Sequence, residues 1–443
     1  GYYNVKAGDA NAFLKTLAVA NANSSSEKRT CIYLPDGTYD LGKTVLTPVS
    51  GDNISIIGQS MDKTIIKNAP AIANEGIGTT ATLYNTSTGL YLQDLTLQNA
   101  LDYYATGAAG RAVCLQDKGT QTICKNVKML SYQDTYYSNN DKGQYYWETS
   151  DIHGCVDYIC GGGDAFFNKC TLTVESRTST AGSGDCTITA PYTNSTWGYV
   201  FDHCTIVNNA ASFNFGRAWG GAPRCAYLNT TLPETGLIST RWTPLGMNVV
   251  ADKFVEYNSV NAAGTVVSPE SNKVKFYLNA TSKEMETIIS ADDAASYSLD
   301  KVFTNWTPAT YTAQITAPVV KADGSSLTWT GSEGAKAFMI LCDGEAVDIV
   351  SGSTNSYTLP TTAKGTTSVS KTYSVRAANA MGGFGEAGIA NGATGISNVK
   401  ADDVINTSYY NLQGAMVNSA YNGVVIKVNT MKDGSKTTSK VIR

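Results

Sequence analysis

The sequence predicts an all-β chain whose larger part is a β-solenoid, and three observations support this prediction. Tyr (26) and Gly (41) are abundant among the 443 residues while Pro (11) is scarce, which favours β-structure with many turns. Short strands of period 2, separated by polar turns, fill most of the chain. Within them a four-residue unit, a polar or small residue followed by apolar-polar-apolar, recurs at intervals of 32, 23, 20 and 34 residues. Its copies begin at Asp94, Asn126, Thr149, Lys169 and His203, with weaker copies at Thr230 and Asn258. Such intervals, with one strand type per repeat, are typical of a solenoid in which each coil stacks on the previous one.

The composition excludes several classes of function. Apolar residues make up 42% of the chain, which is enough for a core, and no apolar stretch is long enough to span a membrane. The net charge is −4 and there is no basic run, so nucleic acid is not an expected partner. The only two histidines are His153 and His203, which nearly excludes zinc sites built on several histidines and leaves few ways to make a Ser-His-Asp triad. Acid/base chemistry is therefore expected from carboxylates.

Two segments predict helices. The first runs from Asp9, a capping residue, to Asn21, with Phe13 and Leu17 on one face. The second follows Ser290, which forms a capping-box pattern with Asp293, and continues at helical spacing until Trp306-Thr307-Pro308 ends it.

One motif suggests nucleotide binding and is rejected. Gly37-Thr38-Tyr39-Asp40-Leu41-Gly42-Lys43-Thr44 matches the phosphate-loop pattern, but that motif requires a helix directly after it. The residues that follow, Val45-Leu46-Thr47-Pro48-Val49, are β-branched and contain Pro. We interpret the segment as a turn between solenoid strands.

The ten cysteines include no CxxC pair, and we expect them to be buried small apolar residues. Cys170 and Cys204 share one position of the repeat, which fits a buried stack better than chemistry.

Two aspartates give the strongest chemical signal. Asp134 lies 7 residues after Val127, and Asp157 lies 7 residues after Ser150, the equivalent residue of the next coil. The equal offset predicts carboxylates one rung apart, about 4.8 Å. Like charges this close cannot both ionise easily, which predicts a protonated acid beside an ionised nucleophile or base. The alternative is that both aspartates only shape solvated turns.

Four ordered motifs resemble those of the pectin methylesterases. They are Gly110-Arg111-Ala112-Val113-Cys114-Leu115, Tyr132-Gln133-Asp134-Thr135, Val156-Asp157-Tyr158-Ile159-Cys160-Gly161 and Phe215-Gly216-Arg217-Ala218-Trp219. The resemblance extends from the start to about Pro308. It implies a right-handed parallel β-helix that needs no metal or organic cofactor. The implied activity is removal of methyl groups from esterified galacturonate in pectin, with release of methanol.

The resemblance also implies roles for individual residues. Asp157 matches the nucleophile, and Asp134 matches the general acid/base. Gln133 matches an oxyanion donor, and Arg217 matches the arginine that holds the nucleophile. A guanidinium beside Asp157 would keep the carboxylate ionised and fix its direction.

Five further residues match positions that line the family's sugar cleft. Trp219, Tyr158 and Tyr137 match its aromatics, while Trp242 and Thr82 match more loosely. For the aromatics the alternative is core filling.

Departures from the family pattern concern Arg111, Cys155, Cys160 and Ala218. The family usually has Gln, its second oxyanion donor, where this chain has Arg111. The arginine could donate in its place or bind a neighbouring galacturonate carboxylate, although a fixed cation also favours ionised Asp134. We therefore expect a working esterase with shifted substrate preference. Cys155 and Cys160 replace Thr and Phe, and Ala218 replaces Pro. A thiol nucleophile at Cys155 is an alternative, but only His153 is placed anywhere near to activate it.

The chain divides into three predicted parts: residues 1–311, the methylesterase-like β-helix; residues 312–395, a small β-sandwich resembling a fibronectin type III domain; and residues 396–443, a β-rich tail. The tail segment Tyr409-Tyr410-Asn411-Leu412-Gln413-Gly414 is similar to sorting tails of secreted bacterial hydrolases. The resemblance implies a secreted, periplasmic or cell-surface protein. We expect a monomer whose partner is methylated homogalacturonan or a branched pectin region.

Other functions stay open at this stage. A polygalacturonase would also use two carboxylates, and a pectate lyase would usually need a calcium cluster of acidic residues. A thioesterase on the same fold and a non-catalytic pectin-binding protein, in which Arg111 marks lost activity, are the remaining alternatives.

Overall fold

The computed structural model describes residues 1–107, 109–177, 184–323, 325–359, 371–390, 404–412, 414–417, 424–431 and 436–442. The chain forms two compact units. The first contains Gly1–Ile315 together with Gly334–Lys336 and Ala378–Phe384. The second contains Thr316–Glu333, Ala337–Ala377 and the described part of Gly385–Arg443.

The first unit is a parallel β-helix with three faces. Strands of its first face pair in parallel in the order Tyr2–Asn4, Thr30–Leu34, Ile54–Gly58, Tyr91–Asn99, Thr122–Leu130, Gln144–Glu148, Asp164–Asn168, Tyr199–Asp202, Arg224–Leu228 and Lys253–Tyr257. The second face shares the long strands Tyr91–Asn99 and Thr122–Leu130 and adds Gly37–Asp40, Thr64–Asn68, Asp151–Gly154, Thr171–Val174 and Thr205–Asn208. The third face contains Thr47–Val49, Leu83–Asn85, Leu115–Asp117, Tyr136–Ser138, Ile159–Gly161, Cys186–Thr193, Phe213–Gly216 and Gly220–Gly221. The predicted β-solenoid is confirmed.

The repeated four-residue unit marks one corner of each coil. Its first residue has a left-handed backbone in each coil that carries the unit, with φ between 48° and 57° at Asp94, Asn126, Thr149, Lys169, His203, Asn229 and Asn258. Asn and Asp accept this conformation more readily than most residues, and their side chains can bond along the stack. Asn126 donates to Asp94 (2.5 Å) and Asn258 donates to Asn229 (2.9 Å). The polar residue of the repeat is therefore the residue at which the chain turns from the first face to the second.

Stacked side chains fill the interior of the coils. Phe201 lies between Phe167 and Tyr227, with ring centroids 4.5 and 4.6 Å apart. Cys170 and Cys204 are buried on neighbouring coils, as their shared repeat position predicts. This continuous core holds the outer surface of the third face in a fixed register.

The first predicted helix is present, and the second is broken. An α-helix spans Ala10–Asn23, and the Asp9 side chain caps it by accepting from the Ala12 N–H (2.9 Å). The Ser290 cap also forms, but the helix that it begins covers only Ala291–Ala295. Two further short helices follow at Leu299–Val302 and Pro308–Thr312.

The prediction of one helix ended by Pro308 is wrong, for two reasons. Ser298 has an extended backbone (φ −62°, ψ 152°) and begins a new helix. Pro308 stands in the first turn of the third helix, where its missing N–H costs nothing. The rejected phosphate-loop segment runs from the strand Gly37–Asp40 to the strand Thr47–Val49 without a helix, as predicted.

A hairpin of Lys273–Leu278 and Thr281–Glu286 follows the last coil. The second unit is antiparallel. One sheet contains Val319–Asp323, Ser326–Thr330 and Ser356–Thr358; another contains Ala337–Cys342, Glu345–Ser351, Tyr373–Ala378 and Phe384–Ile389. Trp329 of the first sheet and Phe338 of the second pack with centroids 5.3 Å apart.

The tail forms a further antiparallel sheet of Val404–Tyr410, Met416–Val417, Val424–Met431 and Lys436–Ile442. Gln413 of the sorting-like segment lies outside the described residues, and the sorting role stays a prediction. In the described part of the chain, no helix is both long and apolar enough to cross a membrane.

Candidate active site

A cavity of about 200 Å³ opens on the outside of the third face and brings most predicted site residues together. Its lining residues are Ile77, Ala109, Arg111, Gln133, Asp134, Asp157, Cys160, Ala190, Arg217, Trp219 and Met247. They come from successive coils, so the register of the β-helix sets their spacing.

Asp134 and Asp157 occupy the same position on neighbouring coils. Each lies two residues before a strand of the third face, and the register pairs the first residues of these strands, Tyr136 and Ile159. Both aspartates have a left-handed backbone, with φ of 58° and 47°. The Asp134 N–H donates to the Val156 carbonyl (3.1 Å), which ties the two turns together. The equal offset in the sequence therefore corresponds to a stacked pair.

The two carboxyl groups have different surroundings. Burial, and after it the negative charge of Asp157, raise the pKa of Asp134 well above its usual range. Arg111, Arg217 and the thiol of Cys160, 3.8 Å from Oδ1, act in the opposite direction and are outweighed. Asp134 is thereby suited to hold its proton at a higher pH than an ordinary aspartate.

Asp157 is bound by Arg217 through both carboxylate oxygens. Nε lies 2.8 Å from Oδ1, and Nη2 lies 2.6 Å from Oδ2. A bidentate pair of this kind fixes the plane of the carboxylate and opposes its negative charge. Only 7% of the Asp157 side chain is exposed, so this pair is little screened by solvent.

Gln133 is oriented as an oxyanion donor requires. The N–H of Gly110 donates to its Oε1 (3.1 Å), which directs the amide nitrogen Nε2 away from that contact. Of the residues that the structure describes, none accepts a hydrogen bond from Nε2. The amide can therefore donate to a group that enters the cavity.

Arg111 lines the cavity, but its guanidinium is already paired. Nε and Nη2 donate to the two oxygens of Glu75 at 3.0 and 2.8 Å, and the Arg111 backbone N–H donates to the same carboxylate at 3.2 Å. Nη1 makes no hydrogen bond to the residues that the structure describes. Glu75 could not be predicted from the sequence, because it lies after the irregular turn Ile72–Asn74 and outside the repeated unit.

Trp219 and Tyr137 extend the site along the third face. Trp219 lines both the cavity of the two aspartates and a second one of about 500 Å³, which Tyr137, Tyr192 and Lys118 also line. The centroid of the Trp219 ring lies 6.0 Å from that of Tyr137 and 5.3 Å from that of Tyr192. Partly exposed aromatic rings next to free polar groups are suited to bind sugar rings. Tyr192 and Lys118 were not predicted, because neither lies in the four motifs nor matches a cleft position of the family.

Three predicted cleft residues lie elsewhere, and these predictions are wrong. Tyr158 and Trp242 are fully buried in the core, where Trp242 stacks on Phe254 at 4.6 Å. Thr82 is also buried, and its hydroxyl donates to the Asn68 side chain (2.6 Å). Tyr158 follows the left-handed residue Asp157, where the chain bends and the simple alternation of strand faces fails.

The thiol alternative has no geometric support. Cys155 is buried in the core beside Cys186, and the contact with that thiol, followed by burial, raises its pKa. His153 bonds to Glu175 through Nδ1 (2.7 Å) and to Asp151 through Nε2 (3.0 Å), so neither ring nitrogen is free for a thiol. Cys155 does not line the cavity, whereas Cys160 does.

Comparisons with known proteins show the family of this chain and agree with its fold. A model of the pectinesterase family matches residues 5–303. A probable pectinesterase A of Aspergillus niger is 26% identical over 309 residues, which cover 66% of this chain and 84% of that protein. A probable pectinesterase/pectinesterase inhibitor of Arabidopsis thaliana is 28% identical over 261 residues. These cover 54% of this chain, which spans only 42% of the plant protein.

Solved structures show the same fold. The pectin methylesterase of Erwinia chrysanthemi has a TM-score of 0.55 at 22% identity, covering 70% of this chain and 98% of that one. A pectin methylesterase in complex with a hexasaccharide has a TM-score of 0.53 at 22% identity, covering 66% and 93%.

The fold and the cavity together define a parallel β-helix protein with two unlike carboxyl groups on its outer surface. The family model covers more than half of the sequence and includes every residue of that cavity. The chain belongs to the pectinesterase family, a family of carboxylic ester hydrolases.

Proposed function

We propose that this chain hydrolyses the methyl esters of galacturonate units in pectin, with Asp157 as nucleophile and Asp134 as general acid and then base. One observation carries the proposal. Two carboxyl groups stacked in one cavity are made unequal, since Arg217 binds both oxygens of Asp157 while Asp134 is buried with a raised pKa.

The first half-reaction forms an acyl-enzyme. A carboxylate oxygen of Asp157 attacks the ester carbonyl carbon, and the carbonyl oxygen gains the negative charge. Nε2 of Gln133 donates a hydrogen bond to that oxygen; a preorganised donor of this kind contributes about 3–4 kcal/mol at other acyl-transfer sites. The C–O bond to methanol then breaks, and Asp134 gives its proton to the departing methoxy oxygen.

The second half-reaction releases the acid. Asp134, now a carboxylate, takes a proton from water as the water oxygen attacks the acyl carbon. The bond to Asp157 breaks, which restores its carboxylate and leaves a galacturonic acid that ionises in water. The sum is ester plus water giving acid plus methanol, and Asp134 ends protonated as it began.

The polymer would lie along the third face, over the catalytic cavity and the cavity of Tyr137, Trp219, Tyr192 and Lys118. Lys118 is exposed there, and its ammonium suits the carboxylate of a neighbouring unesterified unit. Methylated homogalacturonan and branched pectin regions both offer such units.

We also propose that the chain acts as an exported monomer, secreted, periplasmic or at the cell surface, because a polymeric substrate is too large to enter a cell. The sandwich of residues 312–395 would serve as a spacer resembling a fibronectin type III domain, and residues 396–443 as a sorting tail.

A product assay tests the reaction type. Highly methylated pectin incubated with the chain should yield methanol without new reducing ends and without unsaturated sugars. Reducing ends would indicate a polygalacturonase, and unsaturated products a lyase. Binding without any product would indicate a non-catalytic protein, and cleavage of acyl-thioesters in place of pectin would indicate a thioesterase. Each of these results would overturn the proposal.

A further inference from the structure

We propose that Glu75 is a positioning residue for the general acid: it occupies the guanidinium of Arg111 and so leaves Asp134 able to carry the proton that methanol needs. The inference rests on the proposed function, because it concerns the proton donor of that reaction. Neither the sequence motifs nor the family match assigns a role to Glu75.

The Glu75–Arg111 contact is built on three hydrogen bonds. The two side chains meet through Nε and Nη2, and the backbone N–H of Arg111 adds the third. The backbone carbonyl of Arg111 in turn accepts from the N–H of Gly76 (3.1 Å) and from the hydroxyl of Thr80 (3.2 Å). Hydrogen bonds from residues 76 and 80 to the Arg111 backbone therefore hold the two chain segments beside the ion pair. They fix the direction of the guanidinium.

Arg111 is also close enough to act on the catalytic pair. It lines the same cavity as Asp134, and its backbone pairs with Gln133, the residue before Asp134. Two carboxylates, Glu75 and Asp134, therefore compete for one guanidinium. Glu75 has it in the structure.

The charges around Asp134 balance only when Glu75 is counted. The cations that act on Asp134 are Arg111 and Arg217, and the anion is Asp157; the thiol of Cys160 and the phenol of Tyr137 also face it. Arg217 forms an ion pair with Asp157, and Arg111 forms an ion pair with Glu75. Without the charge of Glu75 the cavity has a surplus cation, which favours ionised Asp134 and removes the acid.

The Glu75–Arg111 pair accompanies the departure from the family pattern at position 111, where the family usually has Gln. A glutamine at position 111 is uncharged and needs no counter-ion, whereas an arginine placed there does. Glu75 allows the chain to keep a cation beside its general acid without ionising it.

The test is the pH dependence of kcat/KM for methanol release from pectin. It compares the intact chain with Glu75→Gln, Arg111→Gln and the double variant. Because Arg111 is 41% exposed and partly screened, removing the Glu75 charge should move the alkaline limb down by roughly 0.5–1 pH unit. At alkaline pH this corresponds to about a threefold to tenfold loss, with little change on the acid side. The double variant should follow Arg111→Gln and lose the downward shift, because Glu75 acts only through the arginine.

Asp252→Asn is the matched control, since Asp252 is a half-buried acid paired with Arg224 outside the cavity. Its pH profile should superimpose on that of the intact chain. Thermal unfolding checks that each variant is folded, and Glu75→Asp supplies a second variant that keeps the charge and should keep the profile.

Two results would overturn the inference while leaving the proposed function in place. One is an unshifted profile in Glu75→Gln, and the other is a double variant that retains the downward shift. An intact chain that releases no methanol at any pH would overturn the proposed function and this inference together.

Discussion

Arg217 lies 60 positions after Asp157 in the chain, yet its Nε and Nη2 bind both oxygens of that carboxylate. The contact spans two coils, because Asp157 precedes the strand Ile159–Gly161 and Arg217 follows the strand Phe213–Gly216. Stacking of the coils therefore brings the Asp157 carboxylate and the Arg217 guanidinium into one cavity at a fixed orientation, although they are far apart in the sequence. The sequence motifs predicted this pairing, and the β-helix accounts for it physically.

Replacing Arg217 with Lys should lower kcat for methanol release by about tenfold to a hundredfold. Lysine keeps the charge but cannot form the bidentate pair, so Asp157 loses its fixed direction. Arg224→Lys is the control, because Arg224 binds Asp252 through Nε (2.7 Å) away from the cavity. Equal rates in both variants would show that the orientation of Asp157 does not matter.

Trp219 and Tyr158 should behave in opposite ways although both match family cleft aromatics. Trp219→Ala should raise KM for pectin by about tenfold, since one aromatic surface beside the catalytic cavity is lost. Tyr158→Phe should leave KM unchanged, because the ring is buried and its hydroxyl has no hydrogen-bond partner within the described structure. Steady-state kinetics of the two variants measures both effects. A raised KM in Tyr158→Phe would place that residue in the cleft after all.

Asp117 should make the stability of the β-helix depend on pH. Burial raises its pKa to about 6, despite hydrogen bonds from Thr122, Asn85 and the Gly119 N–H. The folded protein thus binds this proton more tightly than the unfolded chain, whose Asp titrates near pH 3.9. The stabilisation by this proton is complete below about pH 4 and is lost as pH rises to about 6. The free energy of unfolding falls by about 3 kcal/mol over this range.

Asp117→Asn should remove this dependence while keeping the amide contact from Asn85 (2.8 Å in the native protein). Urea unfolding at pH 4, 5, 6 and 7 measures the difference between the two proteins. Parallel curves, with the same pH dependence in the variant and in the native chain, would show that Asp117 does not titrate in this range.

Alkylation by iodoacetamide under native conditions should modify Cys342 and leave methanol release unchanged. Cys342 is partly exposed, whereas the other nine cysteines are buried. Peptide mapping of the labelled protein identifies the modified thiol. Loss of activity that follows labelling of Cys155 would support the alternative in which the Cys155 thiol is the nucleophile.

The sequence predicted those features that repeat or that local chemistry decides. Coils could be predicted because each needs a residue that accepts the left-handed corner, as Asn126 and Asn258 do. The Asp134–Asp157 stack followed from equal offsets on neighbouring coils. The helix at Ala10–Asn23 followed from its Asp9 cap and its buried face.

The features that could not be predicted from the sequence depend on long-range packing or on irregular turns. Tyr158 and Tyr137 both follow closely after an aspartate of the pair. Tyr158 comes one residue after Asp157 and is buried, whereas Tyr137 comes three residues after Asp134 and is partly exposed. Glu75 meets Arg111 through an irregular turn that no repeat describes. The helix after Ser290 breaks because Ser298 begins a second one, and its spacing alone gave no sign of this.

The most direct test of the account is methanol release from highly methylated pectin by the intact chain, by Asp157→Ala and by Asp252→Ala as a control that also removes an arginine-paired aspartate. We expect the intact chain and the control to release methanol at similar rates and Asp157→Ala to be slower by roughly 10⁴-fold while remaining folded. An Asp157→Ala rate within about tenfold of the intact chain would contradict the assignment of Asp157 as nucleophile.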